Sequence, residues 1–232
     1  IGSYFQKTSL SINLKFIMYR DLIKLIKDLY SDKEIIPLHE PVFGDSEKKL
    51  VIEAIDSTYV SSIGSCIDKF ENEVASYTGA RYSVATMNGT SALHTSLLVS
   101  NVQSNDEVIT QSLTFVATCN AIRYCGAFPV FVDVNIASLG LCPESLYDVL
   151  SQNCELRSDG YCWNKNTKRI VKACIPMHTF GLSTQIDQIK KICSDFNIVL
   201  IEDAAESLGT KYNQRYTGTI GDLGVLSFNG NK

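Results

Sequence analysis

The chain has 232 residues, 45% of them hydrophobic and 20% charged, with a formal net charge of −4. That length suits one large domain or two small ones, and the composition is that of an ordinary globular chain. The negative balance leaves no overall basic field for nucleic acid or anionic lipid, so an anionic small ligand would need local donors.

No apolar run is long enough to span a bilayer, and neither a membrane nor a nucleic acid is expected as a partner. Residues 1–17, interrupted by Lys7 and Lys15, lack the layout of a secretory signal. The eight cysteines are scattered without C-x-x-C pairs, and Cys119, Cys174 and Cys193 fall in apolar or helical patterns. A reducing cytosol is expected, hence a cytoplasmic location, no disulfide framework and no metal.

Taken in order, Leu22, Ile23, Ile26, Leu29 and Tyr30 recur at helical spacing and predict a helix over Asp21–Tyr30. Ile35–Pro41 is an extended segment with two prolines. Asp45 is placed to cap a helix carrying Leu50, Val51, Ala54 and Ile55. A loop over Tyr59–Gly64 leads to a helix marked by Ile67, Phe70, Val74 and Tyr77, which Gly79 ends. Strands and helices then alternate. Strands are predicted at Tyr82–Thr86, Glu107–Thr110, Pro129–Val134, Ile170–Pro176 and Ile198–Ile201, with short ones at Thr210–Tyr212 and Gly224–Phe228. Helices are predicted at Thr90–Val99, Phe115–Tyr124, Pro143–Leu150 and over Ile186–Phe196. Residues 151–169 are polar and read as a loop or small excursion. The alternation implies βαβ crossovers and a mostly parallel sheet covered on both faces, an α/β fold of three layers.

In open α/β sheets, ligands sit beyond the carboxyl ends of the strands, and four features fall there. Asn88-Gly89-Thr90-Ser91-Ala92 joins a strand to a helix, where a tight turn and first-turn amides suit a phosphate; alone it reads equally as an ordinary capped helix. Phe115, at the mouth of a strand, suits stacking on a heteroaromatic ring or simply the core. Glu202-Asp203-Ala204-Ala205-Glu206 follows the most apolar strand; a carboxylate there needs a partner, such as a protonated ring nitrogen, or caps the next turn. Ser227 and Lys232 offer a hydroxyl for phosphate and an amine for a carbonyl, since a desolvated lysine loses its proton readily and forms Schiff bases. Together these are the parts that hold pyridoxal phosphate.

The chain resembles the sugar aminotransferases of the DegT/DnrJ/EryC family, pyridoxal-phosphate enzymes of fold type I. The resemblance is carried by NGTSALH (88–94), LTFVAT (113–118), GAFPVFVDV (126–134), PMHTFG (176–181), EDAAESLGT (202–210) and SFNGNK (227–232). IPLHEPVFG near the start resembles the branch acting on UDP-4-keto-6-deoxy-N-acetylhexosamines in bacterial surface-glycan pathways. The resemblance implies a mostly parallel mixed sheet of the aspartate-aminotransferase large-domain type over residues 35–232, preceded by an N-terminal extension and helix over residues 1–34. It also implies that Thr90, Ser91 and Ser227 bind the cofactor phosphate, that Phe115 stacks on the ring and that Asp203 pairs with its nitrogen. Lys232 would bind the cofactor and shuttle the proton, Glu206 would lie near the ring, where many relatives carry Gln or His, and His178 would either contact cofactor or sugar or simply pack at a strand end. The implied reaction moves an amine from glutamate to the C4 ketone of a nucleotide-linked sugar, in a homodimer when full length. Relatives continue past this lysine into a further strand and a smaller C-terminal domain. This chain is therefore expected to be incomplete, and poorly soluble or inactive by itself. The other readings are a non-catalytic module on the same fold, or a different fold-type I enzyme such as a desulfurase or lyase.

Overall fold

A computed structural model describes residues 19–30, 33–37, 40–61 and 63–230, and every structural statement below concerns these residues. The chain divides into two units between Val42 and Phe43. In the first, helix α1 (Arg20–Leu29) agrees with the spacing of Leu22, Ile23, Ile26 and Leu29, and buries none of its residues. The Lys33 ammonium pairs with the Glu40 carboxylate in the segment that follows.

The second unit opens with helices α2 (Asp45–Asp56) and α3 (Ser65–Thr78). Gly44, not Asp45, is the N-cap of α2: the Glu47 carboxylate reaches back to the Gly44 N–H at 2.6 Å. Asp45 instead takes the first helical position, where its charge suits the positive end of the helix dipole. Helix α3 ends at Gly79, whose φ of 74° is the left-handed conformation that glycine adopts without a Cβ penalty. Helix α2 buries no residue, and Leu50, Val51, Ile52 and Ile55 are all exposed.

The centre of this unit is a five-stranded sheet made of β1 (Glu107–Gln111), β2 (Phe128–Val132), β5 (Val171–Ile175), β6 (Val199–Asp203) and β9 (Leu223–Val225). Its order is β2-β1-β5-β6-β9, and every ladder in it is parallel. Successive strand residues point to opposite faces, so the central strands β1, β5 and β6 each feed two cores. Ile109, Cys174 and Leu200 pack with Leu146, Leu150, Ile186 and Ile189 from helices α6 (Pro143–Asn153) and α7 (Ile186–Asp195). Val108, Ala173 and Ile201 pack with Leu93, Leu97, Ala121 and Ile122 from helices α4 (Gly89–Val99) and α5 (Val116–Tyr124). The three layers follow from that alternation.

Three expected strands are corrected. Tyr82–Thr86 forms no ladder: it is tied to α3 by the Ala85 N–H on Glu71 Oε1 and the Ser83 hydroxyl on the Glu71 carbonyl, both 2.7 Å. β2 stops at Val132, and Val134 makes only an isolated bridge with Leu141. The excursion at 151–169 contains an antiparallel hairpin, β3 (Cys154–Leu156) with β4 (Cys162–Asn164), pinned under the sheet where the Asn164 amide meets Glu107 at 2.8 Å. The last strand ends at Val225, short of Phe228. The segment at 210–212 supplies β7 (Lys211–Tyr212), which pairs antiparallel with β8 (Arg215–Tyr216) away from the main sheet.

All eight cysteines are free thiols, four of them buried. Among the described residues no helix is long and apolar enough to cross a membrane, and no group of three or more His, Cys, Asp or Glu is arranged to hold a metal.

Candidate active site

The sheet winds outward in two directions from the β1–β5 boundary. β2 lies on one side, and β6 and β9 on the other. Such a switch point leaves a crevice beyond the carboxyl ends of the strands. A cavity of about 1550 Å³ opens there, with Gly89, Thr90, Phe115, Met177, Asp203, Gly218 and Ser227 in its lining.

One end of the cavity is built for an anion. Asn88 sits in extended backbone before α4, and its side-chain oxygen accepts the Ser91 N–H at 2.8 Å. The Asn88 carbonyl takes the Ala92 N–H at 3.0 Å. The Gly89 and Thr90 amides precede these, among the first-turn donors that no helical carbonyl reaches. Ser227 arrives from beyond β9: a Cβ on Gly89 would lie 3.5 Å from the Ser227 Cβ and 3.6 Å from its Oγ. Glycine at 89 therefore leaves open a gap that a side chain would fill, with a hydroxyl on its far side.

The floor of the cavity is acidic. Asp203, the last residue of β6, is 2% exposed. Its Oδ2 accepts the Thr118 hydroxyl at 2.7 Å, and its Oδ1 accepts the Ala205 N–H at 3.3 Å. The Thr114 hydroxyl lies 3.0 Å from Thr118 Oγ1 and 3.3 Å from Met177 Sδ. Phe115 is the residue before α5; its N–H meets Met177 Sδ at 3.4 Å, and its ring is 57% exposed. Thr118 lies inside the LTFVAT stretch, but nothing in the spacing singles it out. Its role depends on one turn of α5 carrying it past the end of β6.

Of the residues singled out in the sequence, Thr90, Phe115, Asp203 and Ser227 line this one cavity. Ser91 stands beside it as the capped amide. Glu206 follows β6, and its carboxylate accepts the Phe180 N–H at 2.9 Å, holding Phe180 in left-handed backbone at φ 54°. Lys232 lies outside the described residues.

His178 is fully buried rather than presented to the cavity. Its Nδ1 accepts the Thr184 N–H at 3.2 Å, and its Nε2 faces Glu202 Oε2 at 2.9 Å. Because Nδ1 is an acceptor, the hydrogen-bond network assigns the proton to Nε2, which donates to Glu202. Glu202 is also fully buried and accepts three backbone N–H groups: Gly218 at 2.9 Å, and Ile220 and Gly221 at 2.6 Å each. Burial pushes its carboxyl up, but the hydrogen bonds from His178 and from the Gly221 and Gly218 amides outweigh that and leave it below the usual glutamate range.

A helix N-terminus opening at a glycine beside a hydroxyl, an aromatic ring and a buried acid around one crevice are parts whose source can be checked against known proteins. The family model for the DegT/DnrJ/EryC1/StrS aminotransferase family matches residues 41–232. The chain belongs to this family. Among curated relatives, the GDP-perosamine synthase of Escherichia coli O157:H7 is 36% identical over 204 residues, 85% of this chain and 50% of that protein. EpsN of Bacillus subtilis (strain 168), named as a pyridoxal phosphate-dependent aminotransferase, is 35% identical over 197 residues, 85% of this chain and 48% of that protein. The solved aminotransferase from Psychrobacter cryohalolentis superposes with a TM-score of 0.72 at 30% identity, covering 84% of this chain and 46% of that one. The chain spans about half the length of the curated relatives it matches. Pyridoxal phosphate is the cofactor that this membership brings, and the residues fit it. The helix N-terminus at Gly89, unobstructed by a side chain and facing the Ser227 hydroxyl, suits a phosphate, and the buried Asp203 suits a cationic ring nitrogen.

Proposed function

We propose that the protein is a pyridoxal phosphate-dependent aminotransferase that moves an amino group from glutamate to the C4 ketone of a nucleotide-linked 4-keto-6-deoxy sugar, working as a cytoplasmic homodimer. What supports this most is the convergence of Thr90, Phe115, Asp203 and Ser227, from four separate parts of the chain, on one crevice.

When bound, pyridoxal phosphate supplies an aldehyde and an electron sink. The amides at Gly89 and Thr90 and the hydroxyls of Thr90, Ser91 and Ser227 anchor its phosphate. Phe115 covers one face of the ring and excludes water from it. The Asp203 carboxylate keeps the ring nitrogen protonated, and Thr118 holds that carboxylate in place through its 2.7 Å hydrogen bond. Lys232 Nζ takes and returns the proton as the amino acid becomes a keto acid and the sugar ketone becomes an amine. Glu206 steadies the loop at Phe180 through its hydrogen bond to that residue's N–H.

For the nucleotide, the sequence stretches resemble the branch using UDP-linked N-acetylhexosamines, whereas the relative named GDP-perosamine synthase favours a GDP-linked sugar. The test is to supply glutamate with UDP-, dTDP- and GDP-linked 4-keto-6-deoxy sugars, measuring 2-oxoglutarate and the mass of the sugar product. One sugar class should gain an amine, and Lys232→Ala should abolish the product. A protein that shows no visible absorption change on adding pyridoxal phosphate overturns the proposal.

A further inference from the structure

Glu202 and His178 are not among the residues lining the cofactor cavity, yet the Glu202 carboxylate accepts four hydrogen bonds. We propose that this buried pair is a positioning device for the β9 side of the cofactor site: it fixes the turn at Gly218–Gly221, and thereby delivers Ser227 to the gap at Gly89. The proposal rests on the cofactor reading above.

A carboxylate without solvent is costly unless its lone pairs are met. Here all are met, and three of the four donors are amides of a single turn. Oε1 takes Ile220 and Gly221, while Oε2 takes Gly218 and the His178 ring. The turn is moulded to that anion. Gly218 has φ 86°, and a Cβ at Gly221 would lie 2.8 Å from the Leu200 carbonyl. The turn is also in direct contact with the strand it precedes: a Cβ at Gly224 would lie 1.9 Å from the Gly218 carbonyl oxygen. A displaced turn must therefore displace β9, and Ser227 follows β9 after a single intervening residue.

His178 fixes the other end. Its ring orientation is set by the Thr184 N–H, and its backbone N–H donates to the Asp203 carbonyl at 3.0 Å. The ends of β5 and β6 and the turn before β9 thus meet at one carboxylate. Glu202 and Asp203 are neighbours on one strand and point to opposite sides of the sheet. One holds the scaffold behind the pocket while the other faces the pocket.

The experiment compares wild type, Glu202→Gln, His178→Gln, Ser227→Ala and the Glu202→Gln/Ser227→Ala double variant, in the protein as its gene encodes it. Pyridoxal phosphate affinity is measured by fluorescence titration, and amide hydrogen exchange over residues 218–227 is followed in cofactor-free protein. Glu202→Gln turns an NH₂ toward amide donors. It should weaken affinity about 10- to 100-fold, the scale seen for partners that orient metal ligands from behind, and speed exchange at 218–227. His178→Gln removes one donor and should shift both readouts the same way by less; it decides the matter if Glu202→Gln does not fold. In the double variant the Ser227→Ala loss should largely vanish, because both changes break the same contact. If the two losses multiply in full, or if the variants lose stability while affinity and exchange at 218–227 stay at wild-type values, the proposal is overturned with the cofactor reading intact. A wild-type protein that binds no pyridoxal phosphate overturns both.

Discussion

Strands β6 and β9 lie side by side and serve the same crevice, but they are held in place by different forces. β6 is buried from Leu200 to Asp203 and contributes to both cores, so apolar packing on two faces fixes Asp203. β9 is a three-residue edge strand with Gly224 exposed, and it follows a glycine-rich turn wrapped around a carboxylate. A side chain on a central strand inherits its precision from close packing. One on a short edge strand must borrow it from directional hydrogen bonds. The two sides of the pocket should therefore fail in different ways.

The largest effect is expected at Gly224. Alanine there would drive a Cβ into the Gly218 carbonyl, and no rotamer can relieve a backbone clash. Gly224→Ala should cost about 3 kcal/mol or more, read as a lowered urea midpoint. A variant of unchanged stability would show that the turn and the strand are not locked together. Next is Asp203→Asn, which keeps an oxygen for Thr118 but removes the charge. Folding should be nearly unaffected, while turnover falls about 10²-fold, in line with the loss of an opposite charge beside a titrating nitrogen. A matching fall in stability would mean that Asp203 serves the fold instead.

Thr118→Val should be milder. It removes one donor to a buried carboxylate, worth about 1.5–3 kcal/mol, and urea unfolding should show the loss with an intact sheet by circular dichroism. The smallest and most gradual effect is with pH. The folded Glu202 carboxyl lies below its ordinary value, so the unfolded chain takes up this proton first. Its contribution is fully present above the ordinary glutamate range and is lost as pH falls through that range toward the folded value. Stability of wild type should decline there more steeply than that of Glu202→Gln, and equal slopes would contradict the assignment.

Much of this was legible in the residues. The apolar run at 198–201 marks a central strand because strands buried on both faces need no polar alternation, and Val108-Ile109 marks a shorter one. EDAAES marks a strand end because acidic residues interrupt the run at 198–201, and NGTSALH marks a helix start because a turn-forming Asn-Gly precedes the helix. What escaped depends on partners distant in sequence. Tyr82–Thr86 has strand composition, but a ladder is a property of two segments, and no described strand lies against it. Asp45 has the right side chain for a cap, yet Glu47 makes Gly44 the better one. His178 sits at a strand end as a ligand would, and only the fold shows that Glu202 and Thr184 claim both ring nitrogens. Glu202 itself gave no signal beside Asp203, because its partners are backbone amides, which look alike in every sequence.

The order β2-β1-β5-β6-β9 also bears on how the protein comes to exist in time. β1 and β2 are joined by a short crossover through α5, whereas β5 must return across a long span of chain to close against β1. Closing such a loop costs entropy before any contact repays it, so this seam is expected to form late and to slow folding. Phe115 and Thr118 lie on one side of the seam, and Met177 and Asp203 on the other. A molecule that bridges them binds only after the halves have met, and mass action then draws nascent chains toward the closed sheet. Pyridoxal phosphate present during refolding should thus raise the yield of folded protein, apart from any role in turnover.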